Sequence, residues 1–174
     1  MKRKQLEFEV KSISETGAIE GYLNTFNELD AANDITMPGA FKNSLARIGR
    51  EGRKLPMLLH HKQDVPIGVW EELREDSKGL WGRGQVNLNV QAGREAYELA
   101  KQGALTGISI GYFEIDVKPN ARTGANHLNE ADLREASLVT FPANDSSRVD
   151  SVKDRKEHEA FINTMKEINE ILWS

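Results

Sequence analysis

The sequence predicts a mainly β domain, a curled sheet or barrel with two inserted helices and a helical appendage at its C-terminal end. Three observations predict it. Apolar and polar residues alternate through most of residues 5–141, the period of half-buried strands. Only two stretches in that span repeat at helical spacing, so the order is not that of a strand-helix-strand repeat. From residue 154 onward the pattern changes to one long helical stripe.

Leu6, Phe8 and Val10 alternate with Gln5, Glu7 and Glu9; Gly17 interrupts, and residues 18–26 resume the alternation. Residues 27–37 are polar and turn-rich, with Asp30, Asn33 and Asp34 suited to local turns. Pro38 opens a helix in which Phe41, Leu45 and Ile48 follow at i, i+4 and i+7, closed by Gly49 and Gly52. Residues 55–61 read as a strand leading into Pro66-Ile67-Gly68 and a further strand to residue 73. Residues 76–79 turn, and 80–90 alternate again. Residues 91–102 predict a helix with Ala92, Ala96 and Leu99 on one side and Gly103 as its stop. Strands over 104–118 and 132–141 flank a loop at 119–129. Pro142-Ala143-Asn144 ends the regular pattern, and residues 144–153 look loop-like and polar. In the tail, Phe161, Met165, Ile168 and Leu172 line one helix face. The expected division is a domain over residues 1–150 and an amphipathic helical tail over 151–174.

With 174 residues, 39% hydrophobic and 29% charged, the chain has the make-up of a soluble globular protein with a real core. No apolar run approaches the roughly 18–20 residues that span a bilayer, and the basic N-terminus lacks the apolar core of a signal peptide. A net charge of −4 with scattered basic residues argues against broad nucleic-acid binding. The absence of cysteine removes disulfides, thiolate zinc sites and cysteine nucleophiles together. No H-E-x-x-H, carboxylate cluster, calcium loop or glycine-rich phosphate loop is present, so neither metal nor cofactor is expected.

Chemistry then rests on a few residues. Gly107-Ile108-Ser109-Ile110-Gly111 spells G-x-S-x-G, but it lies inside a strand run and not at the strand-to-helix elbow of an α/β-hydrolase. With Ile108 and Ile110 toward the core, alternation turns Ser109 to the other face, and the glycines would admit a substrate backbone. The plain alternative is a glycine-flanked strand serine. A serine nucleophile needs a base, and His60 and His61 end an apolar run; as adjacent strand residues, at most one of them can face Ser109. His127 and His158 read as surface residues. Glu135, a carboxylate within an apolar strand, needs a partner, either an imidazole or a cation such as Arg134. Ser137 shares its face and is a rival nucleophile.

Taken together, these segments resemble the prohead (procapsid maturation) protease family of tailed bacteriophages. The stretches Met37-Pro38-Gly39-Ala40-Phe41, Met57-Leu58-Leu59-His60-His61 and Pro66-Ile67-Gly68 stand in the family's order. They are followed by Gly103-Ala104-Leu105-Thr106-Gly107-Ile108-Ser109-Ile110-Gly111-Tyr112 and by Glu135-Ala136-Ser137-Leu138-Val139-Thr140 with Pro142-Ala143-Asn144. The resemblance covers most of residues 20–150 and implies His61, five residues before the Pro-Ile-Gly, as base and Ser109 as nucleophile. It implies Glu135 as the third member. One departure is Lys62, where the family often has an acidic residue; Asp64 stands two places further on.

That family is similar to the herpesvirus assemblin proteases, which implies a closed, mostly antiparallel β-barrel with surrounding helices. It also implies a serine endopeptidase that cleaves phage scaffold and major capsid protein segments, and itself, inside the assembling procapsid in the bacterial cytoplasm. Residues 141–144 are the candidate source of oxyanion-binding N–H groups. The tail helix either docks on the barrel, pairs with another copy in a homo-oligomer, or targets the protease to the shell. The rival readings are a non-catalytic capsid-assembly module of the same fold and a hydrolase of small esters.

Overall fold

Residues 17–144 and 146–153 are described by the computed structural model. The alternation of the first described segment becomes strand β1 (Ala18–Thr25), with Ile19, Gly21 and Leu23 turned inward. The turn-rich stretch after it hides a three-residue strand, β2 (Asp34–Thr36). Helix α1 (Lys42–Arg50) starts four residues later than Pro38 suggests. Gly39 lies between them at φ 93°, outside the helical region, so Pro38 belongs to a turn and not to a first helical turn. The tight hairpin of β3 (Leu55–Leu59) and β4 (Lys62–Glu75) follows, then β5 (Gly79–Val86).

Helix α2 (Gln91–Lys101) ends as expected at Gly103, which has φ 75°. Its buried face is Gly93, Ala96, Tyr97 and Ala100; Leu99 is exposed, because the large Tyr97 ring takes the inward position. β6 (Gly107–Pro119) and β7 (Asn126–Val139) form a long hairpin, so the loop between them is shorter than the sequence suggests. The loop-like stretch 144–153 contains β8 (Val149–Lys153), which pairs with β1 across the residue-150 boundary. The expected tail helix over 154–174 and the strand over residues 5–10 lie outside the described residues.

The strands make one eight-stranded sheet in the order β2-β7-β3-β4-β5-β1-β8, with β6 on the other side of β7. It curls around a core of Ile19, Leu23, Phe41, Met57, Ile67 and Trp70. α1 packs against β7 and β4, and α2 against β4 and β5. The buried Trp70 indole N–H donates to the Ala136 carbonyl at 3.0 Å, tying β4 to the C-terminal part of β7.

The expected closed barrel is corrected here: the barrel is open. Among the described residues its margins, β6 on one side and β1 with β8 on the other, are joined by backbone pairing around the Gly107–Arg148 bridge and otherwise form no ladder. The bonds there run from Ile108 N to Ser147 O and from Val149 N to Thr106 O. Among the described residues β6 then continues to Pro119 with β7 as its only ladder partner. The end of β1 and the start of β6 lie side by side without a ladder between them, and with the loops next to them they line a cleft.

Candidate active site

The β3–β4 hairpin has a two-residue loop, with Leu59 paired to Lys62. Its two loop residues, His60 and His61, have φ 52° and 58°. Positive φ at both central positions is what a type I′ hairpin turn demands, a role usually filled by Asn-Gly. The histidines are thus not the last two residues of a strand, and strand alternation does not decide which one faces the site. The turn is held by β7, which runs parallel beside β3 with Leu58 opposite Ser137. His60 N donates to Leu138 O at 3.1 Å, and His61 N donates to Ser137 Oγ at 3.0 Å.

On β7, Glu135 turns one carboxylate oxygen to His61 Nδ1 at 2.7 Å, and its other oxygen accepts the Ser137 hydroxyl at 2.7 Å. The alternative partner, Arg134, pairs with Asp132 instead. The hydrogen bond from Glu135 raises the His61 pKa above its ordinary 6.5; partial burial opposes this and the carboxylate's charge adds to it. With Nδ1 committed to Glu135, Nε2 is the ring nitrogen that this bond leaves open.

Strand β6 supplies the serine. Its register with β7 sets Ser109 opposite Ser137 and Gly111 opposite Glu135. Ile108 is fully buried and Ile110 packs against the core; Ser109 between them is buried too, at 7% exposure, so it is not presented openly in the way alternation suggests but lies at the edge of a cleft. Gly111 serves a different purpose from the one expected. A Cβ there would collide with the Glu135 carboxylate, so this glycine leaves room for the acid. A Cβ on Gly107 would meet the Pro142 ring in the same way. Both glycines admit neighbours within the fold.

Ser109 and His61 line one cleft of about 270 Å³ with Leu23, Asn24, Asp30, Ala32, Ile108, Ile110, Tyr112, Ala143 and Asn144. No hydrogen bond joins Ser109 to His61; they share the cleft, and His61 with Glu135 and Ser137 forms the hydrogen-bonded cluster. Such bonds are often long in an unliganded site and tighten with substrate. Ser137 has 0% of its surface exposed, donates its hydroxyl to Glu135 and does not line this cleft.

The 141–144 loop forms another wall. Asn144 is anchored by the Thr25 hydroxyl at 2.9 Å, and Ala31 N donates to the Ala143 carbonyl at 3.0 Å. Tyr112 donates to the buried Asp34 at 3.3 Å; burial first, then the Asp34 charge, holds its phenol well above its usual pKa and therefore protonated. Sequence reasoning passed over Asn24 in this cleft and Asp34 as the partner of Tyr112; Tyr112 itself closes the family stretch that carries Ser109 but is given no part in the site by that reasoning. His127 lies at the far end of β7, 3.1 Å from the Asn120 amide, and His158 lies outside the described residues. Among the described residues, no group of three or more His, Cys, Asp or Glu could hold a metal ion, and no helix is long and apolar enough to cross a membrane.

Comparison with known proteins shows the family and the fold. A family model described as Caudovirus prohead serine protease matches residues 5–162. The prohead protease of Enterobacteria phage HK97 is 36% identical over 157 residues, spanning 86% of this chain and 68% of that protein. The prohead protease of Escherichia phage T5 is 28% identical over 142 residues, covering 81% of this chain and 65% of its own. The bacteriophage T4 capsid assembly protease superposes with a TM-score of 0.58 over 70% of this chain and 81% of its own, at 12% identity. The KSHV protease, solved with a hexapeptide phosphonate inhibitor, gives 0.52 over 76% and 63%, at 14% identity. At such identities the two structures speak for the fold alone. The family model spans most of the chain and the HK97 relative covers two thirds of its own length, so the chain belongs to the Caudovirus prohead serine protease family, the peptidases of phage capsid maturation.

Proposed function

We propose that the chain cleaves peptide bonds with Ser109 as nucleophile, His61 as general base and Glu135 as the acid that orients it. The observation that carries this is the 2.7 Å bond from Glu135 to His61 Nδ1, at the edge of the cleft that holds Ser109. Ser109 Oγ attacks the scissile carbonyl carbon while His61 Nε2 takes its proton. The imidazolium, steadied by Glu135, then returns that proton to the leaving amine. Water adds to the acyl-enzyme by the same path in reverse and frees Ser109.

The oxyanion that forms in both steps is assigned to backbone N–H groups of the 141–144 loop, since Ala143 and Asn144 line the cleft. Each such donor is commonly worth about 3 kcal/mol of transition-state stabilisation. The substrates are capsid and scaffold proteins of the assembling procapsid in the host cytoplasm, and the chain itself.

Co-expression with the phage capsid and scaffold proteins tests this, with intact mass followed for wild type and Ser109→Ala. Serine-dependent trimming of capsid protein is expected in wild type alone. Equal processing in both would refute the assignment of Ser109, and no processing in either would favour a non-catalytic assembly role.

A further inference from the structure

Resting on the triad reading above, we propose that Ser137 is a positioning residue, whose buried hydroxyl couples the backbone of the His60–His61 turn to the Glu135 carboxylate and so sets the imidazole. Three bonds close a ring. Glu135 Oε1 meets His61 Nδ1 at 2.7 Å, Ser137 Oγ donates to Glu135 Oε2 at 2.7 Å, and His61 N donates to Ser137 Oγ at 3.0 Å. A serine hydroxyl has one proton and two lone pairs, so it can donate to the acid and accept from the turn at the same time. An alanine can do neither.

The mechanical need is specific to this turn. His60 and His61 both hold positive φ, which non-glycine residues adopt only where their surroundings over-determine them. Ser137 supplies that surrounding from a rigid base. It is fully buried and sits on β7 between β3 and β6. It also lies next to Ala136, whose carbonyl takes the Trp70 indole. The same hydroxyl stops the acid from turning, because each Glu135 oxygen then has one partner. Backbone and side chain of His61 are therefore referenced to a single atom. The sequence shows Ser137 only as a second serine two residues beyond a carboxylate.

The test reads the ring directly. In an inert Ser109→Ala background, the His61 imidazole is followed by NMR against pH, with and without Ser137→Ala, its signal identified by its loss in His61→Gln. The expected result is a titration above the ordinary imidazole value that falls back toward it when the hydroxyl is removed. In the active chain, Ser137→Ala is expected to lower kcat by up to about 100-fold with KM nearly unchanged, the cost of a misplaced catalytic group. Ser137→Thr, which keeps the hydroxyl, restores the titration.

An unchanged His61 titration in Ser137→Ala overturns the proposal, whatever the activity does. A measurement on the unsubstituted site guards against misfolding: the His61 amide should exchange as slowly as neighbouring β7 amides, and fast exchange overturns the coupling. If no variant or wild type cleaves any peptide, the protease assignment fails, while the titration and exchange still decide the role of Ser137.

Discussion

The two halves of the candidate site are held by different means. His61 is fixed through its backbone N–H, through its ring Nδ1 and through a neighbouring turn residue whose N–H is also tied to β7. Ser109 has no such scaffold; the register of β6 against β7 places it, and it faces the cleft where the sheet fails to close. The difference follows from what each group must do. An imidazole must present one tautomer in one plane, whereas a hydroxyl rotates freely to suit its partner. Precision is concentrated on His61.

Breaking the base side chemically has the largest expected effect. Glu135→Gln keeps the shape of the acid but loses its charge, and kcat should fall by roughly 10⁴-fold. It also sets a pH signature. Cleavage needs neutral His61, so activity rises with pH through the raised His61 value, and in Glu135→Gln that limb should move to lower pH. The sign for stability is the reverse. A group whose folded pKa is raised stabilises the protein fully below its unfolded value near 6.5 and stops doing so as pH rises through the folded value. With 43% of the His61 side chain exposed, that contribution is small, and melting against pH in wild type and Glu135→Gln would measure it.

Crowding the acid sharpens the comparison at a smaller scale. In Gly111→Ala the new Cβ occupies the space of the Glu135 carboxylate, which must leave His61. The expected loss in kcat is on the order of 10- to 100-fold, with the His61 titration returning toward its ordinary value. An active Gly111→Ala with an unchanged titration would show that the acid has another place to go. Smallest is His60→Gly. It removes a side chain from a left-handed position at φ 52° and should raise stability by about 1 kcal/mol in denaturant unfolding while leaving cleavage intact. Loss of cleavage there would assign His60 a part in the site.

Much of the fold was legible because alternation is a local signal. β1, β5, β6 and α2 with its stop at Gly103 follow from residue patterns that need no partner to be read. β2 and β8 do not. β2 is three residues long within a turn-rich stretch and exists by parallel pairing to β7 about 90 residues later, Asp34 opposite Asn126. β8 exists by pairing back to β1. The openness of the barrel depends on how two margins meet, which no local pattern encodes.

At the site the same division holds. Residue types left His60 and His61, and Ser109 and Ser137, as alternatives, and the family resemblance chose among them; the contact of His61 with Glu135 spans 74 residues and no local pattern shows it. The His-His turn lacks the Asn-Gly signature that would have marked it as a type I′ loop. The purpose of Gly111 emerges only once Glu135 is seen opposite it.

The central claim is that the base held by Glu135 acts on Ser109 and not on Ser137. Incubating the protein with a serine-reactive phosphonate and locating the adduct by peptide mass tests it most directly. The account predicts one adduct, on Ser109, formed rapidly in wild type and lost in His61→Ala. An adduct on Ser137, or labelling of Ser109 at the same rate without His61, would contradict it.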